Sequence, residues 1–249
     1  MSNSIVYQFN PLEWPAGPID THNHDYNLGL RAHSSVQQHN IGRRHLTFDG
    51  RVYRYCLATT GGVDGYHGCN TTSGTALYEA LATAQSIGDT EITMTQTGFT
   101  KDQLTGGYAF IYGASGGGSL HYIIGNDVSG TTTTRVKLLD PLHEAITTNY
   151  CEVFYNPYAA CTMTATSDSS VVAVPACTAA TTEYFWGQTW GPCVISPGET
   201  LTGGAKRSLA FGNNGAVFDE THAVDLQHAG FIMNQGTAYG PLVMLQISI

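Results

Sequence analysis

From Thr90 onward the chain is cut into short runs, with breaks at intervals of roughly 8 to 12 residues. Inside each run apolar and polar side chains alternate in steps of two, the period of a strand with one buried face. TEITMTQTG places Ile92 and Met94 on one side and Thr93 and Thr95 on the other. GGYAFIYGAS, LHYIIGNDVSG, TTRVKLLDPL and NYCEVFYNPY follow in the same style, the last two stopped by Pro141 and Pro157. EYFWGQTWGPCVIS, the hairpin-like GNNGAVF and two closing runs around Gly236 and Gly240 repeat it. Upstream, HLTFDGRVYRYCLAT carries Asp49-Gly50, a dipeptide that supplies the positive φ of a tight hairpin turn. Only TALYEALATA, residues 75–84, has helical composition, and a short helix is expected there. This pattern predicts an all-β chain built as β-sandwich or barrel-like domains.

The first 40 residues are different. Pro11, Pro15 and Pro18 block regular ladders, and the segment shows no period of 2 or 3.6. Residues 1–40 are therefore expected to form an extended arm with no core of its own, lying on another surface. A β-rich domain is expected over 41–165. A second, C-terminal one is expected over 166–249, after a small, polar junction that includes TSDSSVVAVPACTAATT.

The arm also holds the chain's sharpest chemical motif, Asp20-x-His22-x-His24. Two imidazoles at i and i+2 on a strand face the same way and can share a divalent metal. A metal-dependent hydrolase of the barrel type needs that pair, further ligands and alternating helices and strands. One weak helix does not supply such a fold. The bland reading, a polar arm whose histidines hydrogen-bond, is favoured, with His22, His24 and Asp20 kept only as a weak metal alternative. GASGGGS lacks the Gly-Lys-Ser/Thr ending of a phosphate loop and reads as a hairpin loop. No Gly-x-Ser-x-Gly elbow occurs. No catalytic residue is nominated, and no cofactor is implied.

Composition narrows the partners. Charged residues are 12% of the 249, and the net charge is −9 with neutral histidines. With no basic run to displace counterions, direct nucleic-acid binding is not expected. No apolar run reaches the roughly 18 to 20 residues that span a bilayer, so no membrane partner is expected. The N-terminus shows no basic stretch followed by an apolar one, so synthesis and folding in a cytoplasm are expected. The six cysteines form no C-x-x-C pair and are expected to be buried free thiols. Tyrosine is frequent at 14. The rings at Tyr53 and Tyr55, at 154–158, and at Tyr184, Phe185, Trp186 and Trp190 are core by default. They are also the residue types that anchor interfaces.

Several segments together resemble a family of structural proteins of tailed bacteriophages. NIGRRHLTFDGRVYRYCLA, TGGYAFIYGASGGGSLHYIIGN, KLLDPLHEAITTNYCEVFYNPY, YFWGQTWGPCVI and the closing strands match its ordered features across roughly residues 40–249. The histidine-rich arm departs from that pattern. The resemblance implies a non-enzymatic virion protein that decorates the capsid exterior and bridges capsomers. It implies the major capsid protein and copies of itself, as a trimer, for partners, and a C-terminal region like the small β fold of trimeric cement proteins. Trp14 and Tyr26 in the arm, with Trp186 and Trp190, are then the interface candidates. The alternatives are a tail or tail-tube protein, and a virion protein that binds a host glycan or receptor through Trp186 and Trp190.

Overall fold

The computed structural model describes residues 29–71, 77–112, 118–146, 150–163, 170–201, 207–212, 214–219, 227–235 and 240–248. Trp14, Asp20, His22, His24 and Tyr26 lie outside the described residues. The chain is all-β, with curled antiparallel sheets. It divides into two compact units. One takes Met1–Thr71 and Cys161–Ile249, and the other is Thr72–Ala160, inserted within it. This corrects the expected succession of 41–165 and 166–249, because the first strands pair with the last ones. Long-range pairing of this kind leaves no mark in local composition.

The larger unit begins with the segment after Gly29, expected to be part of an arm lying on another surface. Residues 29–40 instead hold to their own unit: Leu30 is buried among Tyr53, Tyr55 and Trp186, and Ser34 exchanges backbone hydrogen bonds with Tyr184. Strands β1 (Arg44–Leu46) and β2 (Val52–Leu57) form the expected hairpin, with Gly50 at φ +85 in its turn. Strand β3 (Cys69–Thr71) then leads out of this unit.

The inserted unit is a barrel of six strands. They are β4 (Leu77–Ala80), β5 (Glu91–Met94), β6 (Tyr108–Tyr112), β7 (Gly118–Asn126), β8 (Thr134–Leu138) and β9 (Tyr150–Phe154). Their ladder order is β4-β9-β6-β7-β8-β5. The two ends of this ladder meet: the Ala82 amide donates to the Thr93 carbonyl at 2.7 Å, and the Thr95 amide to the Ala80 carbonyl at 2.9 Å. Closure removes both sheet edges. It also corrects the helix expected over 75–84, whose described part is β4 and its continuation. Pairing to β9 and β5 outweighs a weak local preference for helix. The interior holds Ile92, Met94, Leu104, Ile111, Ile123, Val136, Leu138 and Val153, all fully buried.

The chain returns through β10 (Cys161–Thr162), whose Cys161 pairs with Thr71 of β3. Then come β11 (Val171–Pro175), β12 (Tyr184–Val194), β13 (Ser208–Phe211), β14 (Val217–Asp219), β15 (His228–Asn234) and β16 (Leu242–Gln246). The sheet runs β10-β3-β11-β12-β16-β15-β13-β14, with the β1–β2 hairpin joined to β12. Strand β12 pairs with β11, β2 and β16 in turn, which its bulge between Gln188 and Trp190 permits. The buried Gln188 amide donates to the carbonyls of Trp190, Gly191 and Pro192 at 2.9 to 3.1 Å, satisfying backbone that the bulge frees. The β13–β14 turn carries Gly215 at φ +71, where a side chain would run into the Gly68 backbone. Val174, Ile195, Leu209, Phe211, Val217, Val243 and Leu245 form the core of this unit.

Candidate functional site

The barrel's outward side is where the molecule departs from an ordinary soluble surface. A six-stranded barrel has little room inside, so inward positions take Ala109, Ile111, Ile123, Cys151 and Val153. The alternate positions carry rings too large for that interior. Strand β6 turns out Tyr108, Phe110 and Tyr112, β7 turns out Leu120, Tyr122 and Ile124, and β9 turns out Tyr150, Glu152 and Phe154. Strand β4 adds Tyr78. Register joins them into one face: Tyr108 stands between Tyr122 and Phe154, and Phe110 between Leu120 and Glu152.

Most of these side chains are solvent-exposed, Tyr78 by 57%, Leu120 by 60% and Tyr150 by 47%, while Phe110 and Glu152 are half-buried. The rings also organise one another. Tyr78 and Tyr150 are stacked, with centroids 4.7 Å apart and planes 9° apart. Tyr108 and Tyr122 meet edge to face at 5.6 Å, as do Phe110 and Tyr112 at 5.0 Å. Such pairs hold their rings in defined positions before any partner arrives. Glu152 is the only charged group among these outward side chains. The Tyr112 hydroxyl donates to it at 3.3 Å. That carboxylate, and burial, raise the Tyr112 phenol's pKa, burial first. A contiguous apolar face with one acid, on a barrel whose own core is complete, marks an interaction surface.

Of the rings expected to anchor interfaces, Trp186 is buried, only 8% exposed, and packs with Tyr53, Tyr55 and Leu30. Its indole also meets His39 at 5.3 Å and His45 at 5.6 Å. The Arg43 guanidinium donates to His39 Nδ1 at 3.1 Å, which requires that nitrogen to be an unprotonated acceptor. Burial first, and then Arg43, lower the pKa of both histidines, with His39 adding to the effect on His45. Trp186 is thus a core ring with little of its surface exposed. Trp190, half-buried, sits in β12 between Val52 and Gln246. Both tryptophans belong to the larger unit, and the aromatic face belongs to the inserted barrel.

Three other places have the makings of chemistry. A cavity of about 290 Å³ in the larger unit is lined by Arg31, Asp49, Arg51, Tyr53, Tyr66 and Gln188. Its polar groups serve one another: Arg51 pairs with Asp49 at 2.8 Å and donates to the Tyr53 hydroxyl at 2.9 Å. Burial pushes the Tyr53 phenol up to about 12, so it stays a neutral hydroxyl. In the barrel, Ser119 Oγ and His121 Nε2 lie 2.7 Å apart. His121 Nδ1 is buried without a hydrogen-bond partner among the described residues, so no carboxylate orients this pair for nucleophilic attack.

The six cysteines are free, and five are buried. Cys56, Cys69 and Cys161 lie together in the larger unit with raised pKa values, by burial first at Cys56 and Cys69, and at Cys161 by the Cys56 thiol first and then by burial. Protonated thiols at this depth are inert packing groups. Among the described residues no cluster of three His, Cys, Asp or Glu could hold a metal ion.

No family model, curated protein or solved structure matches this chain. The aromatic face was only partly visible in the sequence. Its strands were, but their outward rings read like core because both faces of β6, β7 and β9 are apolar. The available signal is size: small and medium residues alternate with rings, the sorting that a narrow barrel imposes.

Proposed function

We propose that this chain is a non-enzymatic structural protein of a tailed-phage particle that decorates the capsid exterior and bridges its subunits. The observation that carries the reading is the exposed aromatic face of the inserted barrel. A chain with 12% charged residues that leaves so many rings in water is built to have them covered. The ordered segments that resemble phage structural proteins support the particle as the place where that happens. Binding across neighbouring capsid subunits would stabilise the shell by mass action, because the bound protein favours the assembled state. Repetition of the shell favours closed symmetric assembly of the bound copies, a trimer among them. The major capsid protein is the partner.

A receptor-binding role has one observation in its favour, the hydroxyl-bearing rings of that same face. The ring geometry counts against it, since the faces of Tyr78 and Tyr150 lie on each other instead of standing open to a sugar. A single experiment separates the two. Capsids lacking this protein are incubated with wild type or with Tyr108→Ala/Tyr122→Ala, and bound protein is quantified after sedimentation. Decoration predicts that the double variant binds at least about tenfold more weakly, as expected for loss of central ring anchors. Wild-type attachment by the variant, with loss of binding to host cells, would transfer the face to the receptor.

A further inference from the structure

We infer that the cavity of the larger unit is a binding site for a small organic monoanion, a carboxylate carried on a compact apolar body. The inference goes beyond the particle role and uses none of the aromatic face. The cavity of about 290 Å³ lies wholly within the larger unit. Its size is close to the lower bound of about 300 Å³ for small-molecule sites. Leu30, Val174, Pro175, Pro192, Val194 and Leu242 give it apolar lining.

The polar contacts inside it leave donors over. Asp49 is the only carboxylate among the lining residues, and it is already engaged. Its Oδ2 takes Arg51 Nε at 2.8 Å, and its Oδ1 takes the Thr47 hydroxyl and the Arg51 amide. The Tyr53 hydroxyl accepts from Arg51 Nη1 at 2.9 Å and donates to no group among the described residues. Neither the Arg31 guanidinium nor the Tyr66 hydroxyl has a partner among the described residues. Tyr66 reaches the cavity from an unusual backbone conformation, φ +68, which a ring residue rarely adopts. Two backbone bonds fix it there: its amide donates to the Pro175 carbonyl at 2.9 Å, and the Ser196 amide donates to its carbonyl at 2.8 Å. Outliers held in this way cluster at ligand sites.

Charge selects the ligand. Two guanidiniums against one carboxylate leave one positive charge uncompensated in the lining. Burial pushes the Tyr53 phenol up to about 12 against the pull of Arg51 and Arg31, so it stays an O–H donor beside that charge. One net positive charge suits a monoanion. A dianion such as phosphate would meet the Asp49 carboxylate with too little positive charge to offset it. The planar fork of a guanidinium matches the two oxygens of a carboxylate. The apolar lining then asks for a hydrocarbon body behind that group, which a bare inorganic ion lacks.

The test is a titration of the full chain followed by amide NMR shifts. Benzoate and hexanoate are the probes, and benzamide and inorganic phosphate are the controls. Both acids are expected to give saturable shifts at Arg51, Tyr53, Tyr66 and Gln188, with a Kd of about 1 mM or below. Benzamide and phosphate are expected to bind at least about tenfold more weakly. Arg31→Gln should weaken both acids about fivefold or more. Arg31 is exposed and bonded to nothing among the described residues, so this variant leaves the fold intact. Tyr53→Phe keeps the buried ring, removes the donor and should weaken both acids as well. Neither acid saturating, or Arg31→Gln binding them like wild type, overturns the proposal. Benzamide binding as well as benzoate would reduce the cavity to an apolar hole, and phosphate binding as well would overturn the monoanion assignment. Capsid attachment is read by a different experiment, so this site and the decoration role fail or stand independently.

Discussion

At the scale of single residues, the clearest consequence concerns His39 and His45. The fold holds both as neutral rings against Trp186, with Arg43 donating to His39 Nδ1. Their pKa values in the folded protein are lower than in the unfolded chain, by burial first and then by Arg43. The folded state therefore binds fewer protons at these sites. Their contribution is complete above the ordinary histidine value of 6.5 and is lost as pH falls through the lowered folded values. Thermal unfolding followed by tryptophan fluorescence should show a midpoint that drops between pH 7 and pH 5, and His39→Gln should make that drop shallower. An unchanged slope in the variant would remove His39 from the account. None of this was legible in the sequence, where His39 fell in the expected arm and His45 at the start of the expected hairpin. The burial of His45 depends on β1 lying beside β2 and β12, a long-range arrangement.

At the scale of elements, the strands were largely legible and their closure was not. The alternation of Ile92 and Met94 with Thr93 and Thr95 appears in β5 as a buried and a half-buried face. Asp49-Gly50 and the GNNGAVF turn both make hairpins, because they supply backbone conformations that few other residues adopt. The failure at 75–84 is instructive. Ala and Leu favour helix only weakly, and the strand there is fixed by partners about 15 and 70 residues away. Barrel closure makes a direct prediction. The amides of Ala82 and Thr95 bond across the seam, so hydrogen exchange measured by NMR should find them protected like the β6–β7 ladder. Exchange at the rate of open chain at both amides would mean that the six strands form an open sheet.

At the scale of the whole molecule, the inserted barrel is joined to the larger unit through β3 and β10, where Thr71 and Cys161 are direct register partners. Such partners have Cα atoms about 5 Å apart, close enough for a two-residue turn. Replacing 72–160 by Asn-Gly should give a shortened chain that still unfolds cooperatively, because among the described residues the larger unit's core clusters are built from its own side chains. Circular dichroism and thermal melting check this, and a shortened chain without a melting transition would show that the two units depend on each other for folding. The domain boundary was misplaced in the sequence reading for the same reason: an insertion is visible only once the flanking strands are seen to pair.

The central claim is that this molecule works by being bound, in many copies, to a particle surface through its aromatic barrel face. The measurement that bears on it most directly is the copy number of this chain in purified particles relative to the major capsid protein, by quantitative mass spectrometry. The account predicts parity or a simple fraction of it. A few copies per particle would place the protein in a tail ring or receptor fibre, and absence from particles would contradict the account outright.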